Sequence, residues 1–140
     1  MTPAKAPLPF LGTWKLVTNE SSRPELPHPT SGITTFTQEG DAIHYSNNGV
    51  WSDGRTTQVG AVLRLDGDWY PVTGSMLVDS LSLRTLEDGS FEAKGKKDGV
   101  DTVTSRITVS ADGRAMTTNW ELAGPGGGPV IIWETTSQRQ

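Results

Sequence analysis

The chain has 140 residues, and 12 Lys and Arg against 16 Asp and Glu give a formal net charge of −4 at pH 7. A hydrophobic share of 34% together with 16 glycines favours one folded domain over disorder, and the lack of cysteine excludes disulfides, thiolate metal ligands and a cysteine nucleophile. No basic run points to nucleic acid, and no apolar run approaches the ~20 residues of a membrane span.

Residues 1–9 contain three prolines and are predicted to form a flexible arm. They lack the long apolar core of a secretory signal, so a cytoplasmic protein is the default expectation. A secreted or periplasmic protein whose signal peptide had been removed would look the same.

The first predicted strand covers residues 10–19, where β-branched and aromatic residues dominate and polar turn formers follow. Gly12 lets another segment approach the backbone closely, and Trp14 fills the space two residues further along the same face. This pair predicts that Gly12 and Trp14 form the closed floor of a small β-barrel. The alternative is an ordinary core tryptophan on an ordinary strand.

Residues 20–31 contain Pro24, Pro27 and Pro29. Prolines at this density forbid a helix and disfavour a central strand, so the segment is predicted to be a long loop. Because long loops in compact domains are often functional lids, we expect this one to gate the interior of the protein.

Asp-Gly occurs five times after residue 50, each time between runs of alternating polar and apolar residues. Both residues tolerate the positive φ of a tight turn, so each pair predicts a β-hairpin. The predicted strands are 10–19, 32–38, 42–52, 56–65, 79–87, 90–97, 100–110, 114–123 and 129–136, with a short strand at 68–72 as an option. A flat sheet this wide would expose two edges, whereas closure into an antiparallel up-and-down β-barrel of about 8–10 strands removes both. The predicted fold class is therefore all-β with no long helix, as a single barrel domain at 10–136 with a tail at 137–140.

Alternation along each strand assigns the side chains that face the barrel interior, subject to a one-residue shift in register. Most of them are apolar or aromatic with few hydrogen-bonding groups, which is typical of a cavity that holds an apolar small molecule. The predicted ligand-binding residues are Leu16, Thr18, Tyr45, Asn47, Leu63, Tyr70, Leu83, Phe91, Ser105, Ile107, Thr118, Trp120 and Trp133. The alternative is that these side chains fill the interior and leave no cavity.

Few residues capable of acid–base chemistry are predicted to face inward. His44 faces solvent if Tyr45 faces inward, but a register shift of one residue would make His44 a general base inside the barrel. Tyr70 lies at a turn, and Glu134 is expected to point outward because Trp133 is the better inward residue. For an enzyme, these four residues, His44, Tyr45, Tyr70 and Glu134, are the catalytic candidates. The two histidines lack zinc-binding spacing, so neither a metal nor a cofactor is predicted.

Residues 12–16, Gly-Thr-Trp-Lys-Leu, resemble the start of lipocalins and other members of the calycin superfamily, which open with Gly-x-Trp. Residues 66–74, 96–99 and 109–114 extend the likeness to a family of small bacterial lipocalin-like proteins with a central Asp-Gly-x-x-Tyr-Pro-Val-x-Gly motif. The resemblance covers residues 10–134 and implies a lipocalin-like barrel.

The same resemblance implies that Trp14 closes the barrel floor and that residues 20–31 are the long first loop over the mouth. It also implies a basic side chain stacked on this tryptophan, for which Arg106 and Arg139 are the candidates. It leaves the activity open, because calycin barrels host carriers, inhibitors and some enzymes.

Two functions follow from these expectations. The first is a carrier or sensor that binds an apolar or amphipathic small molecule in a barrel cavity gated by residues 20–31. The second is a cofactor-independent cyclase, isomerase or lyase that uses the same cavity and relies on shape and orientation. An acid or base side chain that points into the cavity would favour the enzyme. A third option is a protein-interaction module with a filled core.

Overall fold

The computed structural model describes residues 8–124 and 127–140, so most of the predicted N-terminal arm lies outside the described residues. The strands are β1 (Gly12–Ser21), β2 (Pro29–Glu39), β3 (Ala42–Trp51), β4 (Thr56–Leu63), β5 (Tyr70–Thr73), β6 (Ser80–Thr85), β7 (Phe91–Lys97), β8 (Val100–Val109), β9 (Ala115–Leu122) and β10 (Ile131–Arg139). They form a closed antiparallel barrel in which each strand pairs with the next and β1 pairs with β10. This confirms the predicted all-β up-and-down barrel, and the described residues contain no α-helix.

The five Asp-Gly pairs each lie in a turn between consecutive strands, and their glycines have φ between 73° and 89°. This left-handed region is the one that tight hairpins require and that glycine adopts without strain. The optional strand at 68–72 exists as β5, which is joined to its neighbours by two residue pairs on each side.

Strand ends differ from the predicted ones by up to three residues, and two of these differences change the extent of a loop or a tail. The first loop is residues 22–28 rather than 20–31, because β1 continues to Ser21 and β2 already begins at Pro29. Proline is tolerated there because the first residue of a strand does not need its N–H. Strand β10 continues to Arg139 through its pairing with β1, so residues 137–139 belong to the barrel and not to a tail.

Alternation places Tyr45 and Asn47 on the inner face of β3 and leaves His44 outside, as the favoured register predicted. In β1, however, a bulge interrupts the pairing with β10 between Leu16 and Thr18. The extra residue leaves Val17 and Thr18 both exposed. The predicted inward position of Thr18 is therefore wrong, because an unbroken alternation was assumed.

The buried side chains form two clusters at opposite ends of the barrel. One, here called the Trp14 end, contains Phe10, Trp14, Phe36, Ile43, Leu63, Leu83, Phe91, Ile107 and Met116. The other, the Trp51 end, contains Trp51, Val72, Val78, Val103, Leu122 and Trp133. The two clusters, each built of aromatic and aliphatic side chains, thus enclose a space between them.

Candidate functional site: a cavity between the two clusters

A cavity of about 200 Å³ occupies the barrel interior. Strands β1 to β4 and β6 to β10 contribute to its lining, together with the segment between β5 and β6. The predicted interior space is therefore present, and the filled-core alternative does not describe this structure. Small-molecule sites in proteins generally combine apolar walls with a few oriented polar groups.

Ten of the thirteen predicted ligand-binding residues line this cavity. They are Leu16, Tyr45, Asn47, Leu63, Leu83, Ser105, Ile107, Thr118, Trp120 and Trp133. They come from seven strands, which shows that alternation alone places distant segments of the chain around one space.

The other three lie elsewhere. Thr18 is exposed beyond the β1 bulge. Phe91 is buried in the cluster of the Trp14 end, where its ring meets that of Phe10 edge-on with centroids 4.7 Å apart. Tyr70 packs against the same cluster, and its hydroxyl donates to Asp66 Oδ2 at 2.6 Å near the barrel surface. Phe10, which precedes β1, fills the space that alternation assigned to a ligand.

Of the four catalytic candidates, only Tyr45 lines the cavity, and burial raises the pKa of its hydroxyl to about 12. The His44 side chain is exposed, with Nε2 3.8 Å from Glu39 Oε2, and Glu134 points outward from β10. No Asp, Glu, His, Lys or Arg of residues 8–124 or 127–140 lines the cavity. The lining therefore offers hydrogen bonds from neutral groups and no carboxylate, imidazole or amine for proton transfer.

The segment between β5 and β6 lines the cavity through Ser75, Met76, Leu77 and Val78 and was missed as part of the site. The Ser75 hydroxyl accepts hydrogen bonds from the backbone N–H groups of Leu77 and Val78 and so turns the chain inward. A Met-Leu-Val run between two strands is the sequence signal that could have shown it, since an apolar run in a turn needs a buried surface.

Three indoles meet at the Trp51 end. The ring centroids of Trp51 and Trp133 are 5.7 Å apart, and those of Trp120 and Trp133 are 6.2 Å apart, both edge-to-face. The Nε1–H of Trp120 donates to Thr135 Oγ1 at 3.0 Å. These rings pack at favourable aromatic distances and give the cavity an intrinsic fluorescent reporter.

Trp14 lies at the opposite end and does not line the cavity. It is fully buried, its Nε1–H donates to the Phe10 carbonyl at 2.8 Å, and the Arg139 guanidinium lies 4.3 Å from the centre of its ring. Of the two basic candidates, the structure therefore places Arg139 on Trp14, while Arg106 pairs with Asp88 on the outside.

Arg139 also joins the chain ends. It donates hydrogen bonds to the carbonyls of Pro9, Leu11 and Gly113. Gly12 is needed beside it, because a Cβ at that position would lie 2.5 Å from Arg139 Nη1 and the backbone φ is +123°. The close approach expected from Gly-x-Trp is thus made by a guanidinium.

The first loop, residues 22–28, does not line the cavity, although Pro29 and Ser31 of the following strand do. The loop is attached to the turn between β3 and β4, where the Ser52 N–H donates to the His28 carbonyl at 2.8 Å and the His28 N–H donates to Ser52 Oγ at 3.2 Å. Two segments, the beginning of β2 and residues 75–78, therefore line the cavity at the Trp51 end.

Within the described residues, no three His, Asp or Glu side chains are grouped in a way that would hold a metal ion. That part of the chain also has no helix with the length and hydropathy needed to cross a membrane.

The barrel is similar to several solved structures. The S-type phycobiliprotein lyase CPES from Guillardia theta matches with a TM-score of 0.61 and 14% identity, over 94% of this chain and 88% of that one. Zebrafish ileal bile acid-binding protein complexed with cholic acid matches with a TM-score of 0.55 and 10% identity, over 94% and 99%. Bovine odorant-binding protein with its natural ligand gives 0.54 and 14%, over 100% and 77%.

These likenesses, together with the closed ten-stranded barrel, show that the chain has a lipocalin-like fold. No family model and no curated protein sequence matches the chain. At these identities the comparison concerns the fold alone, and function has to be argued from the site.

Proposed function

We propose that this protein binds an apolar or amphipathic small molecule inside its barrel. The observation that carries the proposal is the cavity of about 200 Å³, whose lining is apolar, hydroxyl or amide in character. Burial of apolar ligand surface against such walls contributes roughly 25 cal/mol per Å² before the entropy of association is subtracted. Two barrels of the same fold hold small molecules, a bile acid in the zebrafish protein and a natural ligand in the bovine one.

The experiment is a titration with the neutral fluorescent probe N-phenyl-naphthylamine, followed by quenching of tryptophan emission. Trp51, Trp120 and Trp133 all line the cavity, so saturable one-site quenching is the expected result. Ala93→Phe is the matched variant: Ala93 lines the cavity on β7, and a phenyl group there would fill it. Binding that is lost in Ala93→Phe supports the proposal, and failure of the unmodified protein to bind any of a panel of neutral apolar probes would overturn it.

We further propose that residues 20–31 act as a gate together with residues 75–78. Support comes from the position of Pro29, Ser31 and Met76 in the lining at the Trp51 end. Ser52→Ala removes the Oγ that accepts the His28 N–H and should raise the ligand exchange rate a few-fold by loosening the first loop. Stopped-flow fluorescence measures this rate, with the outward Ser46→Ala of β3 as the control. Equal rates in both variants would exclude the first loop from the gate.

The alternative, a cofactor-independent enzyme, has less support. Tyr45 is the one titratable side chain that the described residues contribute to the lining, and burial keeps its pKa at about 12. At neutral pH it can donate a hydrogen bond but does not act as a base. Acid–base catalysis would therefore need a group that the ligand itself supplies.

A further inference from the structure

The cavity has two unlike walls, which follows from the order of the strands. Around the barrel, β3, β2, β1, β10 and β9 are consecutive, and β4 to β8 form the remaining half. The first half, here called the polar wall, contributes most of the polar side chains, set among aromatic and aliphatic ones: Ser31, Thr34, Tyr45, Asn47, Thr118, Thr135 and Ser137. The second half, here called the aliphatic wall, contributes mainly Val59, Leu63, Leu81, Leu83, Val103 and Ile107, with the hydroxyls of Thr57, Ser82 and Ser105 among them.

Part of the polar wall is already used by the protein. Asn47 Nδ2 donates to Thr34 Oγ1 at 2.7 Å, directly across the β2–β3 pair. Thr135 Oγ1 accepts from Trp120 Nε1 and donates to the Thr118 carbonyl. These bonds hold the side chains of the polar wall in place. The polar groups of the wall that make no such bond remain able to hydrogen-bond a ligand.

The hydroxyls of Tyr45, Thr118 and Ser137 are among those groups. Tyr45 and Thr118 both line the cavity. Among the described residues, the one buried side-chain polar atom that has no hydrogen-bond partner is Asn19 Oδ1, so neither hydroxyl is sealed away unpaired. Both oxygens are therefore open to a molecule in the cavity. Ser105 differs, because its hydroxyl donates to the Ala93 carbonyl.

The absence of charged side chains from the described lining limits which ligands can bind. No charged side chain of the described residues lines the cavity, so neither a carboxylate nor an ammonium would find a counter-ion there. Moving an unpaired ion from water into such a site is far more costly than moving a neutral polar group that finds a hydrogen bond.

Resting on the proposed function, we propose that the ligand is an uncharged molecule with a hydrogen-bonding group held by the Tyr45 or the Thr118 hydroxyl on the polar wall, and with its hydrocarbon part against the aliphatic wall. Alcohols, ketones, esters and ethers on a compact hydrocarbon skeleton fit this description. Fatty carboxylates and amines do not.

The test uses four compounds that share one ring system and differ in a single substituent: naphthylmethanol, methylnaphthalene, naphthoate and naphthylmethylammonium. Affinities for the unmodified protein are measured at pH 7 by calorimetry or tryptophan fluorescence. We expect naphthylmethanol to bind about tenfold more tightly than methylnaphthalene, and both charged compounds to bind at least ~100-fold more weakly than naphthylmethanol.

Variants assign the preference to the two hydroxyls. The double variant Tyr45→Phe, Thr118→Val should lose the tenfold advantage of the alcohol while its affinity for methylnaphthalene stays within about twofold. The outward Ser46→Ala of β3 is the control and should leave all affinities unchanged, since its side chain does not line the cavity. Circular dichroism and the unfolding midpoint establish that each variant is folded.

The outcomes separate the two proposals. A charged compound that binds as tightly as the alcohol, or an alcohol preference that survives the double variant, would overturn this inference while leaving small-molecule binding intact. No saturable binding of either neutral compound or of the probe panel would overturn the proposed function itself.

Discussion

The cavity lies between two ends built from the same strands with the same alternation, yet the Trp14 end is packed solid beyond Phe36 and Met116, whereas at the Trp51 end the cavity extends to Pro29, Ser31 and Met76. At the Trp14 end, residues before β1 fold inward and Phe10 packs edge-on against both Phe36 and Phe91, with centroids 5.0 and 4.7 Å apart. At the Trp51 end, the inward segment between β5 and β6 supplies Met76 and Leu77 but no ring. The difference teaches that whether a barrel of this size is filled depends on the segments outside its strands.

The largest effect is expected at the solid end. Trp14→Ala should lower the free energy of unfolding by ~3–5 kcal/mol, because it deletes a fully buried indole, its hydrogen bond to Phe10 and the surface on which Arg139 stacks. Denaturant unfolding measures it. The control is Trp69→Ala, since Trp69 is 40% exposed, and a shift of about 1 kcal/mol or less is expected there. Equal effects in the two variants would contradict the distinction.

Two methionines compare the ends with one residue type. Met116 lines the cavity too, but it is only 7% exposed and is packed in the Trp14-end cluster, so Met116→Ala should lower the free energy of unfolding by about 2–5 kcal/mol. Met76 borders the cavity and is partly exposed, so Met76→Ala should cost about 1 kcal/mol or less, because part of its surface has no packing partner to lose. A larger loss for Met76 than for Met116, again by denaturant unfolding, would show that the Trp51 end is the better packed one.

Gly12→Ala should destabilise the protein by about 1–3 kcal/mol, because the new Cβ meets Arg139 Nη1 and the backbone φ of +123° is unfavourable for alanine. Gly60→Ala is the matched control, since its Cβ would be 3.6 Å from the nearest atom, Thr73 Oγ1. Thermal unfolding of both variants checks the pair. If Gly12→Ala is as stable as Gly60→Ala, the guanidinium is not held against Gly12.

The smallest expected effect concerns the ionisation of the two tyrosines. Burial raises the pKa of Tyr45 to about 12, and the hydrogen bond to Asp66 raises that of Tyr70 to about 12. Both raised values make the folded state lose stability as the pH rises from the unfolded pKa near 10 towards 12. In a spectrophotometric titration, neither should ionise near pH 10 while the protein is folded.

Asp66→Ala should return the Tyr70 step towards pH 10 and leave Tyr45 unchanged. The same carboxylate has a lowered pKa because it accepts the Tyr70 hydroxyl, so its stabilising contribution is present at neutral pH and lost in acid. A tyrosinate step near pH 10 in the unmodified protein would contradict the assignment of both tyrosines.

Most of the fold could be predicted from local chemistry. Asp-Gly turns fix hairpins between neighbouring strands, and in a meander each strand pairs with the next, so local signals suffice for the topology. The inward positions of Tyr45, Asn47 and Trp133 follow from alternation for the same reason.

What the sequence did not predict depends on non-local packing. The β1 bulge that exposes Thr18 has no composition signal, since it arises from the pairing with β10 at the far end of the chain. Phe91 is part of the core because the ring of Phe10 packs against it. Met76 lines the cavity because residues 75–78 turn inward. Alternation describes strands and says nothing of the segments that enter the barrel between them.

The most direct test of a solid and a hollow end is a crystal structure of the protein with naphthylmethanol bound. We expect electron density for one molecule in the interior, with its hydroxyl within hydrogen-bonding distance of Tyr45 or Thr118 and with Phe10, Trp14 and Phe91 unmoved. Density found only on the outer surface, or among the rings of the Trp14 end, would contradict this expectation.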